Sequence, residues 1–145
     1  RGAITLPLRL RQHVASAQRV AEFLDGHDKV ASVNYAGLPS SPWFEVKEKL
    51  GLDGVGAVLS FDIKGGRKEA WAFIDALKLH SNVANIGDSR SLVVHPATTT
   101  HAQCDERGQE VAGITEATIR LSIGLESPED IIDDLKLGFA ALSQA

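Results

Sequence analysis

With 145 residues, 43% of them hydrophobic, the chain has the length of one ordinary domain and enough apolar surface for a core of its own, which excludes a disordered tail. Its 15 basic and 19 acidic residues give a net charge of -4 with no stripe of Lys and Arg, which argues against a nucleic-acid partner. One cysteine permits no internal disulfide, no apolar run approaches the ~20 residues of a membrane span, and no signal-peptide pattern opens the chain, so a cytoplasmic protein with no membrane partner is expected.

Leu6, Leu10, Val14, Ala17, Val20 and Leu24 recur every three or four residues. This spacing predicts an amphipathic helix over residues 8–24, with Pro7 at its beginning and Gly26 just past its end. A β-rich stretch follows at 30–35; the cluster Gly37, Pro39, Ser40, Ser41 and Pro42 then breaks the chain ahead of a short helix over 44–50. Ala57, Leu59, Phe61 and Ile63 alternate with Val58, Ser60, Asp62 and Lys64, the pattern of a strand with one buried face, and Gly65-Gly66 ends it.

Ala70, Phe73, Ile74 and Leu77 share one side of the next helix. Apolar stretches at 83–86 and 92–95 read as short strands, a loop follows, and a second alternating strand covers 117–123. The last helix has the clearest start: Ser127 as N-cap, Pro128 at the first helical position, then Glu129 and Asp130 in the first turn, with Ile131, Leu135, Phe139 and Leu142 as its apolar stripe. This order predicts an α+β fold, a sheet of about four or five strands with helices covering one face. Without linker, internal repeat or low-complexity tract, one domain over 1–145 is expected.

Arg120 stands out chemically. In the strand over 117–123 the odd positions are apolar, so Thr118, Arg120 and Ser122 point to the other face. A strand-mounted guanidinium among short hydroxyl residues suits a carboxylate taken by two parallel hydrogen bonds. The alternative is an exposed strand arginine paired with a local Asp or Glu. A second polar cluster runs from Asp88 to Ser91 and from His95 to His101. His95, His101 and Cys104 match no zinc spacing, and no nucleophile elbow or orienting carboxylate accompanies them, so neither a metal site nor a nucleophile is expected. His13, His27 and His80 are expected at solvated or partly packed helix positions, and Trp43 and Trp71 as packing residues.

Four ordered segments, "VNYAGLPSSPWFE", "GVGAVLSFDIKGG", "FIDALKLHSNVANIGDSRSLVVHPATTTHAQ" and "AGITEATIRLSIGLESPEDIIDDLKLGFAAL", together with the opening "TLPLRLRQH", resemble the C-terminal domain of the Cys/Met-metabolism family of pyridoxal 5'-phosphate enzymes. The resemblance implies the small domain of a fold-type-I enzyme with a mostly antiparallel sheet. It also implies a large N-terminal domain holding pyridoxal 5'-phosphate as a Schiff base on a lysine. Lys29, Lys47, Lys49, Lys64, Lys68, Lys78 and Lys136 all lie outside the family's Ser-x-Thr-Lys context. The sequence has no methionine and opens at Arg1, so it is expected to be a piece of a longer protein, inactive alone and contributing no catalytic, cofactor-binding or metal-binding residue.

Arg120, in "TIRLSIG", matches the family arginine that grips the α-carboxylate of the amino-acid substrate. Ser91, in "GDSRSLVVHP", matches the segment lining the same site, partly through backbone groups. Asp88 and Arg90 resemble the branch acting on O-acetylhomoserine and sulfide, which makes homocysteine in methionine biosynthesis, where other branches carry Gly and Glu. Cystathionine synthases and lyases and methionine γ-lyase share the domain and remain alternatives, as does a non-catalytic ligand-binding module. A homo-oligomer is implied for the full-length enzyme.

Overall fold

The two alternating segments become the middle of a sheet. In a computed structural model describing residues 2–142, β2 (Val58–Ile63) and β5 (Thr118–Ser122) run antiparallel, with Leu59 opposite Leu121 and Phe61 opposite Ile119. β1 (Val30–Asn34) pairs antiparallel with the other edge of β2, and β4 (Leu92–Val94) with the other edge of β5. β3 (Ser81–Asn82) lies parallel to β4, giving a five-stranded sheet in the order β1-β2-β5-β4-β3. The α+β architecture expected from the sequence is the one observed. The expected domain over 1–145 also takes in Arg1 and residues 143–145, which lie outside the described residues.

Three helices cover one face of this sheet. α1 (Leu6–Asp25) buries Ala17, Val20, Ala21 and Leu24; α3 (Arg67–Ala76) buries Ala70, Phe73 and Ile74; α5 (Pro128–Ala141) buries Ile131, Leu135 and Phe139. α5 packs against both α1 and α3. The aromatic rings meet edge-on, Phe61 with Phe73 at 5.7 Å and Phe73 with Phe139 at 4.8 Å between centroids. Gly138 makes this approach possible, since a Cβ there would stand 2.6 Å from the Phe73 ring. Ser127 starts α5 as read from the sequence, its hydroxyl accepting the Glu129 N–H at 3.3 Å. Hydrogen bonds from Ser127 and Arg19 hold the Glu129 carboxyl down at about 2.

The structure departs from the sequence reading at several places. α1 begins at Leu6 instead of residue 8, because Pro7 fits the first turn, where its missing N–H costs nothing. Its apolar stripe overhangs the core, leaving Leu6 and Leu10 nearly half exposed. Residues 83–86 are not a strand; Val83 and Ile86 are half exposed, and pairing falls instead on Ser81–Asn82, where the Ser81 N–H donates to the Ser91 carbonyl at 3.0 Å. The loop before β5 holds a short helical turn at Pro96–Thr98 and a helix, α4 (Glu106–Val111), started by the Asp105 carboxylate on the Gly108 N–H. A short helix, α2 (Phe44–Lys49), buries no residue.

Two of the histidines expected at solvated or partly packed helix positions are buried. His13 Nδ1 lies 2.6 Å from the Ile123 carbonyl. His80 sits outside any helix, in the connection from α3 to β3, with Nδ1 2.7 Å from Asp134 Oδ2. The same carboxylate accepts the backbone N–H groups of Lys78 at 2.7 Å and His80 at 3.1 Å, so a side chain of α5 satisfies donors of a connection that would otherwise be buried unpaired. Trp43 and Trp71 are 59% and 46% exposed instead of packed inside; Trp71 lies edge-on to His95, with the Arg67 guanidinium over its ring.

Candidate functional site

The face of the sheet away from the helices carries Arg120 near its centre. By register, Ser60 lies across from it on β2 and Val94 on β4, and Asn34 continues the row beyond Ser60 on β1. In the adjoining row the buried Thr118 donates its hydroxyl to Asp62 at 2.6 Å. That bond occupies the carboxylate standing diagonally across the ladder from Arg120. Among the described residues no Asp or Glu forms an ion pair with Arg120. Its guanidinium makes a long hydrogen bond, from Nη2 to the Asn85 carbonyl at 3.4 Å. Arg120 also lines a cleft. The pairing of a strand arginine with a local acid, the bland alternative in the sequence, is absent among the described residues.

This cleft has a volume of about 400 Å³ and is walled by Tyr35, Trp43, Ser60, His101, Ile114 and Thr118 among others, with Arg120 its one lysine-or-arginine residue among the described residues. Burial pushes the Tyr35 phenol up to about 12, and its O–H donates to the Gly56 carbonyl at 2.9 Å, so this wall stays neutral. A permanent cation on a rigid strand, beside hydroxyls and aromatic rings, is equipped to take a small anionic molecule by its carboxylate end.

Ser91 is placed differently. It is fully buried; its hydroxyl donates to Glu126 Oε2 at 2.9 Å and accepts the Gly124 N–H at 2.9 Å, while its own N–H donates to Glu126 Oε1 at 2.8 Å. Leu92 and Val94 share the register rows of Ser122 and Arg120, so alternation turns the Ser91 side chain to the helix-covered side with Val93. The structure therefore does not bring the Ser91 hydroxyl to Arg120. Gly124 is required at this crossing, since a Cβ there would stand 2.5 Å from the Ser91 nitrogen.

The other polar residues of the sequence reading have local roles. His95 is buried with both ring nitrogens engaged, by Thr98 at 2.8 Å and the Glu116 carbonyl at 2.9 Å; His101 lines the cleft, and Cys104 is exposed. Sequence reasoning missed the Asn85 carbonyl and the Tyr35 and Trp43 walls, which come from loops and carry no periodic signal. Ser122 was visible in the same alternation as Arg120, and its hydroxyl accepts the Gly87 N–H at 3.0 Å.

Fold and cleft define a two-layer α+β domain that backs a sheet with helices and carries an arginine at the cleft on its open face. A family model described as "Cys/Met metabolism PLP-dependent enzyme" matches residues 1–140, and the chain belongs to this family. It is 64% identical over 141 residues to O-acetyl-L-homoserine sulfhydrylase of Corynebacterium glutamicum, covering 97% of this chain and 32% of that protein. It is 41% identical to L-methionine gamma-lyase of Fusobacterium nucleatum, over 95% of this chain and 35% of that protein. Cystathionine gamma synthase from Xanthomonas oryzae pv. oryzae, solved in complex with aminoacrylate and cysteine, superposes with a TM-score of 0.90 at 38% identity, over 97% of this chain and 36% of that one. The chain thus spans about a third of the length of the relatives it matches.

The family depends on pyridoxal phosphate. Among the described residues no lysine lines the Arg120 cleft, and Lys29, Lys47 and Lys136 are bonded elsewhere, to Phe139, Glu48 and Asp133. The described residues at this cleft do not fit the role of cofactor anchor.

Proposed function

We propose that this chain is the C-terminal, substrate-carboxylate domain of a pyridoxal-phosphate-dependent O-acetylhomoserine sulfhydrylase, which makes homocysteine from O-acetylhomoserine and sulfide. The observation that carries the site is Arg120, held on a central strand, lining the cleft and without an acidic partner among the described residues. Arg120 fixes the substrate's α-carboxylate through its fork and so sets the orientation of the amino acid, a positioning contribution. Ser91 serves the same site indirectly: through Glu126 and Gly124 it ties down the segment that leads into β4, the strand beside Arg120. The choice of substrate is supported by the 64% identity to the sulfhydrylase of C. glutamicum against 41% to the methionine gamma-lyase.

The test is an assay of the full-length, cofactor-loaded protein. Sulfide-dependent release of homocysteine from O-acetylhomoserine is the expected result, and this chain alone is inactive. Breakdown of methionine without activity on O-acetylhomoserine and sulfide would overturn the substrate assignment in favour of a lyase.

A further inference from the structure

We infer that Ser122 is a positioning residue for Arg120, acting through a strap formed by residues 85–91. This role rests on the carboxylate-binding role proposed above for Arg120. Every second residue of the strap bonds to β5 or the segment that continues it. The Asn85 carbonyl accepts from Arg120 at 3.4 Å and the Gly87 N–H donates to Ser122 Oγ at 3.0 Å. The Ser89 carbonyl accepts from the Leu125 N–H at 2.8 Å, and Ser91 Oγ accepts from the Gly124 N–H at 2.9 Å. Residues 85–89 therefore run in the direction of β5, and the chain reverses by Ser91 into β4, which pairs antiparallel with the same strand.

Within this ladder the bond at Ser122 is the one nearest the arginine that is made by a buried side chain. Ser122 is 2% exposed and stands two residues from Arg120 on the same face, so its hydroxyl is fixed by the sheet. Gly87 reaches it with φ +75°, a backbone conformation that L side chains rarely adopt. The Ser122–Gly87 bond sets the height of the strap over the strand, and with it the Asn85 carbonyl that meets Arg120 Nη2. One carbonyl on one nitrogen steadies the plane of the guanidinium while leaving the remaining N–H groups for a carboxylate.

The test compares binding of the amino-acid substrate with that of the matching amine lacking the α-carboxylate, by calorimetric titration of the full-length, cofactor-loaded protein. Ser122→Ala is expected to weaken the amino acid about fivefold, the scale of one lost hydrogen bond, and to leave the amine unchanged. In an Arg120→Ala background the same change should have no further effect. Gly87→Ala gives an independent perturbation: a Cβ there meets nothing within 4 Å but strains the turn, so it disturbs the strap without touching the core, and the same selective loss is expected. Equal weakening of amino acid and amine, or no weakening of either, would overturn the role of Ser122. If Arg120→Ala leaves the preference for the amino acid over the amine intact, the carboxylate role itself fails and this inference falls with it.

Discussion

The two faces of β5 do different work with the same backbone. Ile119 and Leu121 are fully buried beneath α1, α3 and α5, in a continuous apolar cluster with Phe61, Phe73 and Phe139. Thr118, Arg120 and Ser122, the residues between and beside them, face the other way, into hydroxyls, carbonyls and a cleft. The helix-covered face supplies stability by removing apolar area from water, while the open face holds a cation that the fold leaves without an acidic partner among the described residues. Placing the arginine on a strand whose other side is locked into the core limits its backbone motion, which is what the proposed hold on a carboxylate requires.

The strongest way to break the comparison is to cut into the covered face. Phe73→Ala removes the ring that meets both Phe61 and Phe139 and is expected to lower the unfolding free energy by about 3–5 kcal/mol, read by chemical denaturation. The comparison holds if ligand discrimination by carboxylate survives in the fraction that remains folded.

A smaller effect separates the faces by pH. Burial lowers the affinity of His80 for a proton below that of a free histidine. Burial pushes its partner Asp134 the other way, upward, but the hydrogen bonds from the His80 ring and from the backbone N–H groups of Lys78, Leu79 and His80 outweigh it and hold the carboxyl below the usual Asp range. Both depressed groups make the unfolded chain the better proton acceptor in acid. Stability is therefore full above the ordinary histidine value of 6.5, declines as pH falls below it, and declines further as Asp134 takes a proton below 3.8. His27, also lowered chiefly by burial, adds the same sign. Denaturation midpoints measured across this range are expected to fall less steeply in His80→Gln; an unchanged slope would remove His80 as its source.

How much of this was legible in the sequence follows the same division. The period-two alternation of β2 and β5 and the Ser127-Pro128 start of α5 are local signals, and they located the core, the sheet and the face of Arg120. α4 escaped notice because Val111 is the one apolar residue in its six, so it has no stripe to read. Residues 83–86 look like a strand because they are apolar, but they lead into a strap held by single bonds over β5, and β3 is fixed by its tertiary register against β4. The His80–Asp134 pair joins residues 54 apart, and the Ser122–Gly87 bond joins residues 35 apart; neither spacing is a motif. The hydroxyl of Ser91 could not be placed from its segment alone, because the side it takes depends on the register of β4 against β5.

The most direct measurement is steady-state kinetics of Arg120→Lys in the full-length, cofactor-loaded protein, with its melting temperature as a control. Lysine keeps the charge and loses the fork, so KM for the amino-acid substrate is expected to rise about 10- to 100-fold, the scale of a charge-assisted pair, while the melting temperature stays close to that of the parent. An unchanged KM in a normally folded variant would contradict the assignment of Arg120 as the residue that holds the carboxylate.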